Sequence, residues 1–95
     1  MSTPAKTKPR GSNVFRDLGF PEAEAENLLL RAQLMSEMRE IARDMTQTQA
    51  AKSFGVTQPR INDLLRGKID KFSLDALVNM LAKAGRRVEL RVKAA

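Results

Sequence analysis

Two short amphipathic stretches, 47–54 and 57–66, are separated by little more than Gly55 and Val56. Nothing else in the chain restricts its fold so tightly. A connection of about three to four residues gives two helices no room to lie apart, so they must touch and cross. The first stretch suits that: Ala50 and Ala51 are small enough to let a second helix cross closely, and Phe54 continues the inward face. Gly55 supplies the left-handed conformation that ends a helix cheaply. Val56 plugs the turn, Ile61, Leu64 and Leu65 form the inward face of the second helix, and Gly67 closes it. Thr46-Gln47-Thr48-Gln49 reads as a capping box, in which Thr46 accepts from the Gln49 amide and the Gln49 side chain reaches back. The leading edge of the second helix is then free to face outward. It consists of Thr57, Gln58, Pro59 and Arg60, with Asn62 and Asp63 beside it.

Residues outside this unit supply a framework. Residues 1–12 hold two prolines, a glycine and small polar residues, and read as a flexible basic tail. Residues 13–21 carry Val14, Phe15, Leu18 and Phe20, enough to pack on something. A helix begins near Pro21 or Glu22, where Glu22, Glu24 and Glu26 complement the helix dipole. Leu30, Leu34, Met38, Ile41 and Met45 follow at helical steps and give it an apolar face, with its end at Met45 or Thr46. A last helix starts at Ser73 and Asp75, turns Leu74, Leu77, Val78 and Leu81 inward, and stops at Gly85. The methionines read mainly as core filler, with Met35, Met38 and Met45 also suited to an adaptable partner face. From Arg86 the period changes: Val88, Leu90 and Val92 alternate with Arg87, Glu89, Arg91 and Lys93, which is a strand pattern. A single strand needs a partner for its backbone groups. The partner is either the segment around 13–18 or the same strand of a second copy, and we favour the second copy. The domain plan is therefore a tail over 1–12, a helical domain over 13–85, and a strand over 86–95 that contacts a dimer mate.

Composition narrows the function. At 95 residues the chain is one domain, and it has no cysteine and no histidine. Disulfides, thiolate chemistry and the commonest general base and metal ligand are all missing. The chain reads as a binding protein and not an enzyme, with no cofactor and no metal. No apolar run is long enough to span a bilayer, and no apolar segment follows Lys6, Lys8 and Arg10 to make a signal peptide. The expected location is the cytoplasm. Net charge is +6, from 17 basic and 11 acidic residues. The positive charge lies at the two ends and around 46–85, while 14–45 is net acidic. That distribution suits a polyanionic partner.

Two helices joined in this way form a helix-turn-helix pattern. Thr46-Gln47, then Ala51, then Gly55-Val56-Thr57-Gln58, then Ile61, Leu64 and Arg66-Gly67-Lys68 resembles the lambda-repressor-like, xenobiotic-response-element (XRE) family of DNA-binding proteins. The resemblance spans about residues 28–84. The flanks, Asn13-Val14-Phe15-Arg16-Asp17-Leu18-Gly19-Phe20, Gln58-Pro59-Arg60 and the strand over 87–93, are similar to HigA-type antitoxins. Those are small repressors encoded beside a RelE-like ribonuclease toxin. The chain departs from the wider family in replacing its short fifth helix with the strand, so the family's helical dimer interface does not carry over.

The resemblance implies an all-α, lambda-repressor-like bundle of about four to five helices with a C-terminal β-strand. It also implies roles for the outward residues. Gln58 and Arg60 are the foremost base readers, since a glutamine amide matches adenine N6 and N7, and a guanidinium matches guanine O6 and N7. Asn62 reads a base or a sugar–phosphate edge. Asp63 either accepts from cytosine N4 or orients Arg60 or Arg66. Gln47, with the helix start around Thr46, meets a phosphate, and Thr57 lies where it can do the same. Lys68 and Lys71, in the loop after Gly67, also meet phosphates, and Arg66 does either job. Pro59 costs little in a first turn, where amides have no intrahelical acceptor. It also disfavours helical geometry at Gln58, so the cap is either Thr57 or Gln58.

The expected function is a dimeric, autoregulating repressor that binds a palindromic operator in double-stranded DNA, with a RelE-like toxin as a further partner. The alternatives are a toxin-neutralising protein with weak DNA binding, and a stand-alone phage-type regulator.

Overall fold

A computed structural model describes residues 13–94. The tail over 1–12 lies outside them. Five α-helices follow in order: α1 (Val14–Asp17), α2 (Glu22–Ile41), α3 (Gln47–Phe54), α4 (Gln58–Leu65) and α5 (Leu74–Lys83). A 3-10 turn at Ile69–Lys71 lies between α4 and α5. The long α2 is the spine. It packs against α1, α4, the 3-10 turn and α5, while α3 packs against α4 and α5. Among the described residues no helix is long and apolar enough to cross a membrane.

The helix starts are written into the sequence by their caps. Thr46 accepts from the Gln49 amide at 3.1 Å, and the Gln49 side chain accepts from the Thr46 amide at 2.9 Å, completing the expected box. Ser73 accepts from the Ala76 amide at 3.1 Å and opens α5 as expected. At α4 the cap is Thr57, whose hydroxyl accepts from the Arg60 amide at 3.4 Å. Gln58 and Pro59 are therefore the first two residues of the helix. Proline is harmless there because its missing amide proton has no intrahelical acceptor to lose.

The core is aliphatic, with two phenylalanines at its centre. Phe54, Phe72, Met35, Met38, Ile61, Leu64 and Leu77 are fully buried. Ala50 and Ala51 are buried where α3 meets its neighbours. Met35, Met38 and Met80 are core residues. Burial leaves Met35 and Met38 no part in a partner face.

Four expectations are corrected. The helix α2 ends at Ile41, with Ala42 as its cap, rather than at Met45. Its buried face is Ala25, Leu28, Met35 and Met38, and Leu30 is 42% exposed. A line drawn in steps of four drifts by about 40° per step around a helix of 3.6 residues per turn, so Leu30 rotates out of the core. On α5, Met80 is buried in place of Val78, which is exposed.

The largest correction is the C-terminal strand. Among the described residues there is no strand, and 86–94 have no regular secondary structure. The segment around 13–18, one of the two partners considered for it, is instead the helix α1 and its cap. Asn13 is buried and clamps this helix: its side-chain oxygen accepts from the amides of Phe15 and Arg16, and its amide donates to the Ala25 carbonyl at 3.0 Å. With that partner used elsewhere, a strand within one chain has no ladder to join.

Gly55 has φ +71°, in the left-handed region. An added Cβ would also come to 2.5 Å from Cδ of Lys83, a flexible side chain that can move away. Gly55→Ala is therefore expected to lower stability mainly through backbone strain, by about 1–2 kcal/mol. Urea denaturation of the two proteins measures the difference.

Candidate nucleic-acid interface

The first turns of α3 and α4 lie side by side. The Gln58 amide nitrogen donates to the Thr48 hydroxyl at 3.0 Å, joining the two helix starts across ten residues of sequence. Thr46, Gln47, Thr57, Gln58 and Pro59 are all exposed on this edge. Unpaired amides and the positive ends of two helix dipoles therefore face the same side. A glutamine amide has two N–H donors and one carbonyl acceptor. Thr48 takes one donor from Gln58 and leaves the donor–acceptor pair that an adenine edge matches.

Arg60 is placed differently. Its guanidinium donates to the Lys71 carbonyl at 2.8 Å. It also stacks on the Phe72 ring, 4.3 Å from the centroid. A second arginine grips the same loop: Arg31 on α2 donates to the carbonyls of Ile69 and Phe72, both at 3.3 Å. Arg31 is itself steadied by Asn27, which accepts from its Nε at 2.8 Å. The segment after α4 is thus held by two guanidiniums on three carbonyls, and Phe72 within it is buried. To touch a base, Arg60 must give up these bonds.

The remaining predicted residues spread around this core of contacts. Asp63 pairs with Lys68 at 3.6 Å, and both are partly exposed. It orients neither Arg60 nor Arg66. Asn62 is half-buried and its side chain bonds to no other described residue. Arg66 caps the end of α4 and is exposed, as is Lys71. Gln47, Thr57, Gln58, Arg66 and Lys71 are exposed and Lys68 is half-buried, with the Thr46 and Thr57 hydroxyls engaged in capping.

These helices and the turn at Gly55 match a family model described as a helix-turn-helix domain, over residues 14–93. The chain belongs to the helix-turn-helix domain family. No curated protein is matched. The match takes in almost all the described residues, so α1, α2 and the C-terminal segment are parts of this domain along with α3 and α4.

Three residues that shape the helix-turn-helix surface carry no readable signal in the sequence. Thr48 looks like the interior of a capping box. Arg31 looks like a solvated residue of a long helix. Phe72 precedes a cap and looks like loop. Each acts through a partner ten to forty-one residues away, which periodicity cannot report.

If the two arginines hold the loop, losing either should loosen it without any ligand present. Arg60→Ala and Arg31→Ala are each expected to cost about 1–2 kcal/mol, in line with a charge-assisted hydrogen bond. Both should speed amide hydrogen exchange at Lys71 and Phe72, whose amides close the 3-10 turn. Unchanged exchange at these two amides would contradict the role.

Proposed function

We propose that the protein is a sequence-specific regulator of transcription that binds double-stranded DNA as a homodimer and represses its own operon, as a HigA-like antitoxin does. The observation that carries this reading is the Gln58–Thr48 bond, which sets the starts of α3 and α4 on one exposed edge. In this reading α4 enters the major groove with Gln58 leading. Gln58 reads an adenine, and Asn62 touches a base or backbone edge. Gln47 and the start of α3 meet one phosphate, and Arg66, Lys68 and Lys71 meet others. Arg60 has two roles, positioning the loop in the free protein and reading guanine if it swings outward. A two-fold dimer implies half-sites about 34 Å apart. The protein binds and does not catalyse.

A toxin-neutralising role is the second reading, and one observation favours it. Leu18 is 70% exposed, and Val14 and Phe20 near it are also exposed. Glu22, Glu24 and Glu26 follow within a few residues at the start of α2, with Glu22 paired to Arg16 at 3.0 Å. An apolar patch beside acidic residues suits a basic protein partner. A RelE-sized basic reading frame next to this one would favour that role.

The test is binding to the DNA upstream of the gene, against a scrambled competitor, over a range of salt. Three cations per copy should give the dimer a log–log salt slope of about −5. Gln58→Ala is expected to weaken cognate binding by about 10- to 100-fold and to relax one base position, with binding to scrambled DNA unchanged. Equal affinity for both DNAs in the wild type would contradict the proposal.

A further inference from the structure

Arg39, near the end of α2, is exposed, and its guanidinium bonds to no other described residue. Its helical neighbours at three and four residues are Met35, Ser36, Ala42 and Arg43, none of them acidic. The acids close by are engaged or face elsewhere. Glu40 pairs with Arg43 at 3.0 Å, Asp63 pairs with Lys68, and Glu37 lines the groove beside Leu34, Ile41 and Val88. No ion pair joins Arg39 to Asp44 or Asp70. The guanidinium lies instead at Gly67, where an added Cβ would stand 3.6 Å from Nη1. Gly67 follows the cap of α4 and separates Arg66 from Lys68. Arg39 also borders a hollow of about 290 Å³ with Phe15, Met35 and Ile69.

We propose that Arg39 is a further contact to the DNA backbone, extending the binding surface from α4 on to α2. The inference rests on the DNA-binding reading above and adds a phosphate-binding cation to Arg66, Lys68 and Lys71 in each copy. Two observations carry it. The first is place: the guanidinium stands against the one residue between Arg66 and Lys68. The eight residues of α4 span about 12 Å, and the major groove is about 12 Å wide. With the start of α3 on one backbone, the residues around Gly67 reach the other. The second is the contrast with Arg31. Both arginines stand on α2 beside the segment that follows α4. Arg31 is spent on the carbonyls of Ile69 and Phe72, whereas Arg39 keeps all five of its N–H donors. A planar guanidinium with open donors takes a phosphate through two parallel bonds, and the neutralised phosphate releases its counterion.

The salt dependence of binding to the upstream duplex tests this contact. Each phosphate neutralised contributes about −0.9 to the log–log slope. Arg39→Gln is therefore expected to make the slope of the dimer shallower by about 2. It should weaken binding to operator and scrambled DNA alike, by about 10- to 100-fold at about 0.1 M salt. Arg39→Lys keeps the charge and should keep the slope. Arg43→Gln removes the same charge from a residue already paired with Glu40, and should leave the slope unchanged. Arg39 is exposed, so circular dichroism should show each variant folded. A residue that merely covers the hollow would cost stability in urea when replaced and leave the slope unchanged, and that result would overturn the inference. An equal drop for Arg43→Gln would also overturn it, as an effect of net charge alone. Wild type that binds operator and scrambled DNA equally, with a slope still lowered by Arg39→Gln, would overturn the sequence-specific reading and leave this contact standing. Wild type that binds no DNA would overturn both.

Discussion

The close crossing of α3 and α4 is the constraint on which the rest of the molecule depends. It requires small side chains at Ala50 and Ala51 and a left-handed residue at Gly55. It also requires apolar anchors, and Phe54, Ile61 and Leu64 are buried without remainder. Once these positions are filled, the direction of α4 is set by covalent geometry. The polar residues on its first turn have only the outside to face. The edge that we assign to DNA is in this sense a by-product of packing: residues 57–59 are outward because residues 61 and 64 are inward.

The second feature is a loop held by two arginines. Loops carry recognition residues but tend to be mobile. Here Arg31 and Arg60 bond three carbonyls of the segment after α4, and the Phe72 side chain at its end is buried. Lys68 and Lys71 are presented from a backbone with little freedom left. A cation held in place before binding loses less entropy on meeting a phosphate. The arrangement also explains why an arginine stands at residue 60. Its planar guanidinium can stack on a ring and donate to a carbonyl at once, which a lysine cannot do.

Local chemistry was legible in the sequence, and distant chemistry was not. The capping box at Thr46, the cap at Ser73, and the turns at Gly55, Gly67 and Gly85 involve residues a few positions apart and are readable, while the sequence leaves the α4 cap between Thr57 and Gln58. The rotation of α2 differs from the sequence pattern because a step-of-four line mimics a face that the true helical pitch abandons. The position of Arg60 depended on Lys71 and Phe72, and that of Gln58 depended on Thr48. No spacing rule links such residues. The strand over 86–93 shows the opposite case: its alternation is a clear signal, yet a strand forms only where a second strand can pair with it. Pattern reports what a segment can do with a partner, and one chain does not supply that partner.

The most direct test of the central claim, that the joined starts of α3 and α4 form the DNA-reading edge, is an amide chemical-shift titration of the protein with its operator duplex. The account predicts the largest shifts at residues 46–48 and 57–60 and in the loop at 68–71, with α1 and α5 little changed. Large shifts confined to α1 and the start of α2, with the α4 edge silent, would contradict it.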